Sequence, residues 1–421
     1  MKTIIGKYNS ADVYTDLIEE SAEVQIKQLC DQPFTKDCRI AIMPDVHAGA
    51  GCVIGFTANL GDLVIPNLIG VDIGCGMLVV CLGKTEMDNR ELDNIIHNHV
   101  PAGMNTHDVA AVSYPALRDL HCYNDLKNVS RIECSLGTLG GGNHFIEVDV
   151  DDGNQYLVIH TGSRNLGKQV AEHYQQLAYD TLIGKHNVEA QRKALIEEYK
   201  ASGRSHELQD ALKAFHANHA DVPRELCYLT GENRKMYLHD MQICQDYAVL
   251  NRRTIANIIL QNLLGHTVDN YEHFETIHNY IDLQNNIIRK GAVSAQKNEK
   301  LLIPINMRDG SLICVGKGNP EWNYSAPHGA GRLFSRGVAR KMFTVEAFAN
   351  EMEGIYTTSV GQDTLDECPM AYKPIDSIVN NIGPTVDIVK IIRPVYNFKA
   401  SEEYSVTLDL RLSLSQRSLN K

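Results

Sequence analysis

The chain has 421 residues, of which 43% are hydrophobic and 22% charged, a composition typical of folded globular proteins and not of disordered chains. Forty Lys and Arg residues against 52 Asp and Glu residues leave a net charge of −12, which argues against a protein that coats nucleic acid through its overall charge but leaves room for a local basic site. No apolar run approaches the roughly 18 residues of a membrane span, and the N-terminus lacks the apolar core of a signal peptide, so we predict a cytoplasmic protein with no membrane contact.

Glycine marks three dense blocks, residues 49–83, 131–167 and 291–337. Because glycine permits positive φ and close backbone approach, these blocks predict loops wrapped around a common site. Short apolar, β-branched runs predict strands at 39–43, 77–82, 145–150, 156–160, 301–305 and 388–398. Apolar residues at helical spacing predict helices at 191–199, 208–215 and 236–264. We therefore predict an α+β fold with one domain over 1–421 and a helical insertion at approximately 168–264.

The first block contains Asp72 and Cys75, and the segment just before it contains Asp45 and His47. Asp72 and Cys75 lie in a segment too rich in glycine for a helix, so we expect a loop that aims both side chains at one point. A carboxylate and a thiolate together suit Zn, Mn or Fe. Taken alone, the pair fits better with a structural role in which Asp72 caps a turn and Cys75 is a small buried residue.

The second block places two histidines at the junctions of consecutive predicted strands and loops. His144 opens one strand and His160 closes the next, positions from which rigid elements aim side chains into a site. Hydrogen-bonded structural histidines and metal ligands are equally good explanations. The polar neighbours Asn143, Glu147 and Arg164 are able to contact a nucleotide, with arginine suited to phosphate.

His278 precedes the third block, which contains His328 and ends in a basic stretch that follows it. Arg332, Arg336 and Arg340 recur at every fourth position, which predicts one face of a helix. A helix N-terminus beside such a row is suited to binding phosphate, although an ordinary solvated basic face is the usual outcome of such a run. The chain has no GxxxxGK[ST] loop, no GxGxxG fingerprint and no HExxH motif.

Taken together, the blocks resemble the RtcB family of GTP-dependent RNA ligases, which act in tRNA splicing and RNA repair. The resemblance rests on motifs that occur in the family's order between about residues 40 and 399. They are MPDVHAGAG, GVDIGCGM, LGGGNHFIEV, HTGSR, HNYID, RKGA, SAPHGAGR and RPVYNFK.

The resemblance implies mixed α/β layers around a central dinuclear metal site, in a single catalytic domain. It implies two Mn²⁺ ions that share Cys75, with His160 and His278 completing one site and Asp72 and His144 the other. A thiolate shared by two divalent ions is chemically reasonable for clamping a phosphoryl group. The ligand set by itself would suit zinc equally well.

The resemblance also implies that His328 accepts GMP from GTP as the nucleophile. Positions that match the family's nucleotide contacts are Asn143, Phe145, Glu147, Ser311, Gly329, Arg332, Tyr372 and Lys399. Asp45, His47 and Arg164 match positions near the RNA end or its phosphate. The implied partners are GTP and RNA ends, either tRNA halves or cleaved RNA, and an activating helper protein is a further candidate.

The chain departs from the family pattern in three places, of which one is the detail of the helical insertion, to which we assign no function. Where the family commonly has Pro-Gly-Ser-Met, this chain has Pro304, Ile305, Asn306 and Met307, a bulkier turn beside the expected guanine pocket. The family usually ends in Lys-Gly, whereas here residues 400–421 form a C-terminal extension. Its alternating apolar residues, from Val406 to Leu412, predict an added strand.

These observations predict an RNA ligase that joins 3′-phosphate or 2′,3′-cyclic-phosphate ends to 5′-hydroxyl ends through a histidine–GMP intermediate. One alternative keeps the metal site without ligation, as a metal-dependent RNA-end hydrolase, which the Ile305 and Asn306 change would favour if it blocked GTP. The other alternative is a non-catalytic RNA-end binding protein. A nucleophile beside five metal ligands argues against the latter, because binding alone does not need one.

Overall fold

The computed structural model describes residues 1–59, 61–85, 87–215 and 221–400. In this part of the chain the strands are β1 (Lys2–Ile5), β2 (Ser10–Val13), β3 (Ile40–His47), β4 (Ile54–Ala58), β5 (Gly76–Gly83), β6 (Phe145–Asp151), β7 (Asn154–Thr161), β8 (Glu272–Ile277), β9 (Asn279–Asp282), β10 (Ile287–Lys290), β11 (Ala292–Ser294), β12 (Lys300–Asn306), β13 (Gly310–Gly316), β14 (Ser325–Pro327) and β15 (Val386–Phe398). The helices are α1 (Glu20–Cys30), α2 (Asn89–His99), α3 (Val129–Glu133), α4 (Arg164–Leu182), α5 (Lys185–Ala201), α6 (Leu208–Lys213), α7 (Gly231–Leu264), α8 (Arg336–Met342), α9 (Val345–Glu351) and α10 (Ile375–Ile382).

The strands form two large sheets and a small one, which confirms the α+β fold. A six-stranded sheet has the order β1-β2-β3-β4-β10-β9, a seven-stranded sheet has the order β12-β13-β15-β6-β7-β5-β8, and β11 pairs with β14. Only β2 and β3 pair in parallel among the described ladders. All six predicted strands are present, and the predicted helices lie within or overlap α5, α6 and α7.

The antiparallel order of β6, β7, β5 and β8 brings four predicted ligands to one end of the larger sheet. His144 and Cys75 immediately precede β6 and β5, whereas His160 is near the end of β7 and His278 follows β8. His160 of β7 is paired with Met77 of β5 on one side and with Phe145 of β6 on the other. Because neighbouring strands run in opposite directions, the starts of two and the ends of two meet at the same edge.

The predicted helical segment packs in two different ways. Helices α4 and α7 are built into the core: Met241 and Tyr247 of α7 lie in the largest apolar cluster, and Ile255 and Ile259 lie in a second one. Helices α5 and α6 bury no side chain completely. A division of the chain into one domain with an insertion stays a prediction.

Two further predictions concern membrane-spanning helices and the C-terminus. Within the described residues, no helix combines the length and the apolar character that crossing a membrane requires. The added strand predicted in the extension falls beyond Ala400 and lies outside the described residues.

Candidate metal centre and adjoining cavity

A tight loop ahead of β5 carries Asp72 and Cys75, as the sequence predicts. Gly74 has φ +73°, and a Cβ there would lie 2.8 Å from the Cα of Gln245 on α7, so this turn needs glycine. The Asp72 carboxylate is fixed by the backbone N–H of Ser163, which donates to Oδ1 at 3.0 Å. Helix α7 and the turn after β7 therefore hold the loop from both sides.

Three histidine Nε2 atoms converge on the Cys75 sulfur and the Asp72 carboxylate. The Sγ–Nε2 distances are 3.5 Å to His144 and 3.3 Å to His160, and His160 Nε2 lies 3.4 Å from His278 Nε2. Asp72 Oδ2 lies 3.0 Å from His144 Nε2. The five side chains, called here the central cluster, form two three-residue groups that share Cys75: one with His160 and His278, the other with Asp72 and His144.

The protonation pattern of the central cluster suits cations. His144 Nδ1 donates to the Leu139 carbonyl at 2.9 Å and His160 Nδ1 donates to the Asn143 carbonyl at 3.1 Å, which directs both Nε2 atoms towards the sulfur. Burial, followed by neighbouring positive groups, lowers the pKa of His160 and of His278 well below the usual value, so both rings are neutral. Neutral nitrogens, a thiol and a carboxylate this close together form a donor set that fits divalent metal ions.

Arg252 braces the loops that carry the cluster. It is fully buried on α7, and its guanidinium donates to the carbonyls of Gly74 and Thr161, each at 2.9 Å. Glu275 on β8 balances its charge, with Oε2 2.6 Å from Nη2. The sequence analysis missed Arg252, although a charged residue on the buried face of a long helix was a usable signal.

His328 stands between the central cluster and an open cavity. Its ring centroid is 4.9 Å from that of His278, and it follows directly after β14. The Asp45 carboxylate accepts two hydrogen bonds from this residue at Oδ2, from Nδ1 at 2.6 Å and from the backbone N–H at 3.1 Å. Because Asp45 Oδ2 accepts from Nδ1, the neutral form of the ring carries its proton on Nδ1 and has its lone pair on Nε2. Asp45, expected near the RNA end, is thus fully buried behind His328.

Most of the predicted nucleotide contacts line one cavity of about 220 Å³. Those that line it are Asn143, Phe145, Glu147, Gly329, Arg332, Tyr372 and Lys399, together with His47, His160 and His328. Three predicted contacts lie outside it: Asp45, Ser311 and Arg164. Ser311 is fully buried on β13, and its hydroxyl has no hydrogen-bond partner among the described residues. Arg164 donates to the Thr138 hydroxyl at 3.2 Å and to the Gly103 carbonyl at 3.0 Å.

Glu367 organises the charged wall of the cavity. It is 2% exposed and accepts from Lys399 at 3.1 Å, from Arg332 at 3.2 Å and from the Tyr372 hydroxyl. Burial opposes its ionisation, but the positive charges of Lys399, Arg332 and Arg336 outweigh burial and lower the pKa of Glu367 to about 2. The sequence analysis missed Glu367 because its partners lie up to 35 residues away in the chain.

The predicted arginine row does not form one helix face. Helix α8 begins at Arg336, and Arg332 precedes it in a non-helical segment. The reason is local: Gly331 has φ +74°, and Arg332 pairs with Tyr372 in an antiparallel bridge, so neither residue is helical. Asp366 lies 3.2 Å from Arg340, so part of the positive charge is already balanced.

The unusual turn at residues 304–307 is compatible with an open cavity. All four of its residues line the cavity wall, but the Ile305 side chain is directed into an apolar core and is 2% exposed. Asn306 closes the turn, because its Oδ1 accepts from the backbone N–H groups of Arg308 and Asp309. The bulk added by Ile305 is therefore absorbed by the core.

Two buried lysines hold the loops around the site. Lys373 Nζ donates to the carbonyls of Leu17, Pro44 and Val46 at 2.9–3.1 Å, which fixes the segment on both sides of Asp45. Lys290, from the RKGA motif, donates to two carbonyls of the first glycine block. Each lysine satisfies backbone oxygens that would otherwise be buried without a partner.

Comparison with known proteins gives one consistent result. The family model described as tRNA-splicing ligase RtcB matches residues 25–122 and 121–400. The RNA-splicing ligase RtcB of Escherichia coli K12 is 30% identical over 419 residues, covering 90% of this chain and 94% of that protein. The tRNA-splicing ligases RtcB of Aeropyrum pernix and Nanoarchaeum equitans are 27% and 28% identical, covering 84% and 85% of this chain and 86% and 87% of their own lengths.

Proposed function

The chain belongs to the RtcB family and is an RNA ligase, and we propose that it joins RNA 3′-phosphate or 2′,3′-cyclic-phosphate ends to 5′-hydroxyl ends through a GMP adduct of His328. The observation that carries this proposal is the position of His328. Asp45 engages its Nδ1 and leaves Nε2 without a contact to that carboxylate, its ring lies beside the central cluster, and the residue lines the cavity. A binding protein or a simple metal site does not need such a nitrogen.

The central cluster is proposed to hold two Mn²⁺ ions. Cys75 would be the shared ligand, with His160 and His278 on one ion and Asp72 and His144 on the other. Bound divalent ions would offset negative charge on phosphoryl oxygens in the transition state. The choice of Mn²⁺ rests on family membership, since the donor set also suits zinc.

In the proposed first step, His328 Nε2 attacks the α-phosphorus of GTP. A P–N bond forms, the bond to the β-phosphate oxygen breaks, and pyrophosphate leaves with that electron pair. The ring becomes positively charged as the bond forms, and the Asp45 carboxylate stabilises that charge from Nδ1 while keeping the ring in place.

In the proposed later steps, the GMP group passes from His328 to an RNA 3′-phosphate oxygen, which breaks the P–N bond. The 5′-hydroxyl of the second RNA then attacks the 3′-phosphorus, and GMP leaves as the new phosphodiester forms. A 2′,3′-cyclic phosphate first needs a water molecule to open it to the 3′-phosphate. His47 lines the cavity at its His328 end and is proposed, with Arg164, to contact the RNA end.

The cavity is proposed to bind the guanine nucleotide. Phe145 supplies an apolar ring, Lys399 lies 5.5 Å over that ring, and Tyr372 and Arg332 form the charged wall. Glu147 is buried, and burial raises its pKa to about 7, although hydrogen bonding to Asp149 and Asn397 opposes this rise. A carboxylate in this position is able to accept the N–H groups of a guanine edge. Asn143 and Gly329 complete the set that lines the cavity, whereas Ser311 is buried outside it.

The proposal is tested with two RNA oligonucleotides, one ending in a 3′-phosphate and one labelled at a 5′-hydroxyl end. With GTP and Mn²⁺, the wild type should join them and the His328→Ala variant should not. Metal-dependent loss of the 3′-phosphate without joining, with or without GTP, would support the hydrolase alternative. RNA binding with neither reaction would support the binding-protein alternative. A cytoplasmic location and a helper protein stay predictions.

A further inference from the structure

Two exposed histidines lie next to each other above a buried carboxylate, far from the central cluster. His121 lies in the loop before α3 and His239 lies on α7, and their ring centroids are 4.8 Å apart. With Asp240 they offer ligand atoms that all lie within 4.8 Å of one another. His239 precedes Arg252 by 13 residues on α7, which corresponds to roughly 20 Å along the helix.

Asp240 is held rigidly beneath the two rings. It is fully buried, and it accepts from the backbone N–H groups of His121 at 2.9 Å and Cys122 at 3.1 Å and from the Tyr174 hydroxyl at 2.7 Å. These three hydrogen bonds, which both carboxylate oxygens accept, fix the carboxylate in position.

The fixed carboxylate determines which nitrogen of His239 is available. His239 Nδ1 lies 3.0 Å from Asp240 Oδ1 and must donate to it, so Nε2 keeps its lone pair. A carboxylate behind an imidazole is the arrangement by which proteins orient histidine ligands and raise their basicity. The neighbouring His121 ring supplies a second nitrogen on the same exposed surface.

We propose that His121 and His239 form a second metal site, for a divalent transition ion of the zinc class, with Asp240 holding His239 in its ligating orientation. Two imidazoles and solvent oxygens make an acceptable tetrahedral set for Zn²⁺. Imidazole ligands favour Zn²⁺ or Cu²⁺ over Mn²⁺, which prefers oxygen donors and stands low in the affinity order. The site therefore favours a zinc-class ion over Mn²⁺, and a bound ion would tie the His121 loop to α7.

The test is the number of Zn²⁺ ions bound per chain, measured by equilibrium dialysis and metal analysis. The His121→Gln, His239→Gln double variant should bind one Zn²⁺ fewer than the wild type and should lose part of the zinc-dependent rise in Tm. The matched control, His99→Gln with His186→Gln, removes two exposed histidines elsewhere and should bind as the wild type does.

A Cys75→Ala background separates this site from the central cluster. The loss of one Zn²⁺ caused by the double substitution should persist in that background, and the double variant with Cys75 intact should still form the GMP adduct with Mn²⁺. Equal Zn²⁺ binding by the double variant and the wild type would overturn the proposal. So would loss of the zinc equivalent only when Cys75 is present, because that result assigns the ion to the central cluster. Neither outcome depends on whether the chain ligates RNA.

Discussion

Replacing Asp45 by asparagine should slow the attachment of GMP to His328 and leave the fold intact. The carboxylate accepts both the ring Nδ1–H at 2.6 Å and the backbone N–H of His328, while its other oxygen is buried with no partner among the described residues. Asparagine has the same shape. If its amide oxygen replaces Oδ2, the ring keeps its tautomer but loses the negative charge that balances the developing imidazolium.

The size of the effect follows from that lost charge. A hydrogen bond to a charged group contributes about 1.5–3 kcal/mol, and each 1.36 kcal/mol changes a rate tenfold, so GMP attachment should slow by about 10- to 150-fold. If the amide instead turns its NH₂ group towards Nδ1, the proton moves to Nε2 and the nucleophile is blocked. The loss would then be larger, towards the 10⁴-fold known for a triad aspartate in another enzyme.

The rate is measured by rapid quenching after mixing with labelled GTP at saturation, in a single turnover. The exposed Asp37→Asn variant controls for the loss of one negative charge and should react at the wild-type rate. A wild-type rate for Asp45→Asn, with unchanged Tm, would refute the role assigned to this hydrogen bond.

Three further predictions follow from the surrounding contacts. Cys75→Ser should weaken Mn²⁺ binding at least tenfold, because both three-residue groups lose their shared sulfur. The affinity is measured by electron paramagnetic resonance titration, and a wild-type affinity would contradict a shared ligand. Glu367→Gln should lower the free energy of unfolding by about 3–5 kcal/mol at neutral pH, since Lys399 and Arg332 lose a buried partner. The pKa of Glu367 is lowered to about 2 in the folded state, so its contribution to the free energy of unfolding is complete above about pH 4.5 and is lost as pH falls towards 2. Denaturant titrations at several pH values should show this loss for the wild type and not for the Glu367→Gln variant. Lys373→Met should lower Tm and slow GMP attachment, because three buried carbonyls lose their donor at about 1–3 kcal/mol each; unchanged Tm would contradict this.

The sequence predicts the elements that carry the central cluster well. Glycine-rich loops and β-branched runs indicate the strands, and histidines at strand ends indicate where side chains would be aimed. Convergence of His144, His160 and Cys75 depends on the order β6-β7-β5, which periodicity does not reveal, so the residues alone could not decide between ligands and structural histidines. The family resemblance supplied that link.

Other features depend on contacts between distant segments and could not be predicted. Asp45 and His328 are 283 positions apart, and only the folded chain shows that the carboxylate faces the ring. The even spacing of Arg332 and Arg336 predicted a helix face, but Gly331 has a positive φ and the helix begins only at Arg336. The net charge of −12 similarly says nothing about where positive groups gather, and here Glu367 holds several of them along one cavity wall.

The most direct test of the central claim is to locate the nucleotide on the protein. The wild type is incubated with GTP and Mn²⁺ in the absence of RNA, digested under mildly alkaline conditions that preserve a phosphoramidate, and mapped by mass spectrometry. The account predicts one GMP group, on the peptide that contains His328, and its loss on adding RNA with a 3′-phosphate. A folded, metal-loaded protein that carries GMP on another residue, or carries none, would contradict it.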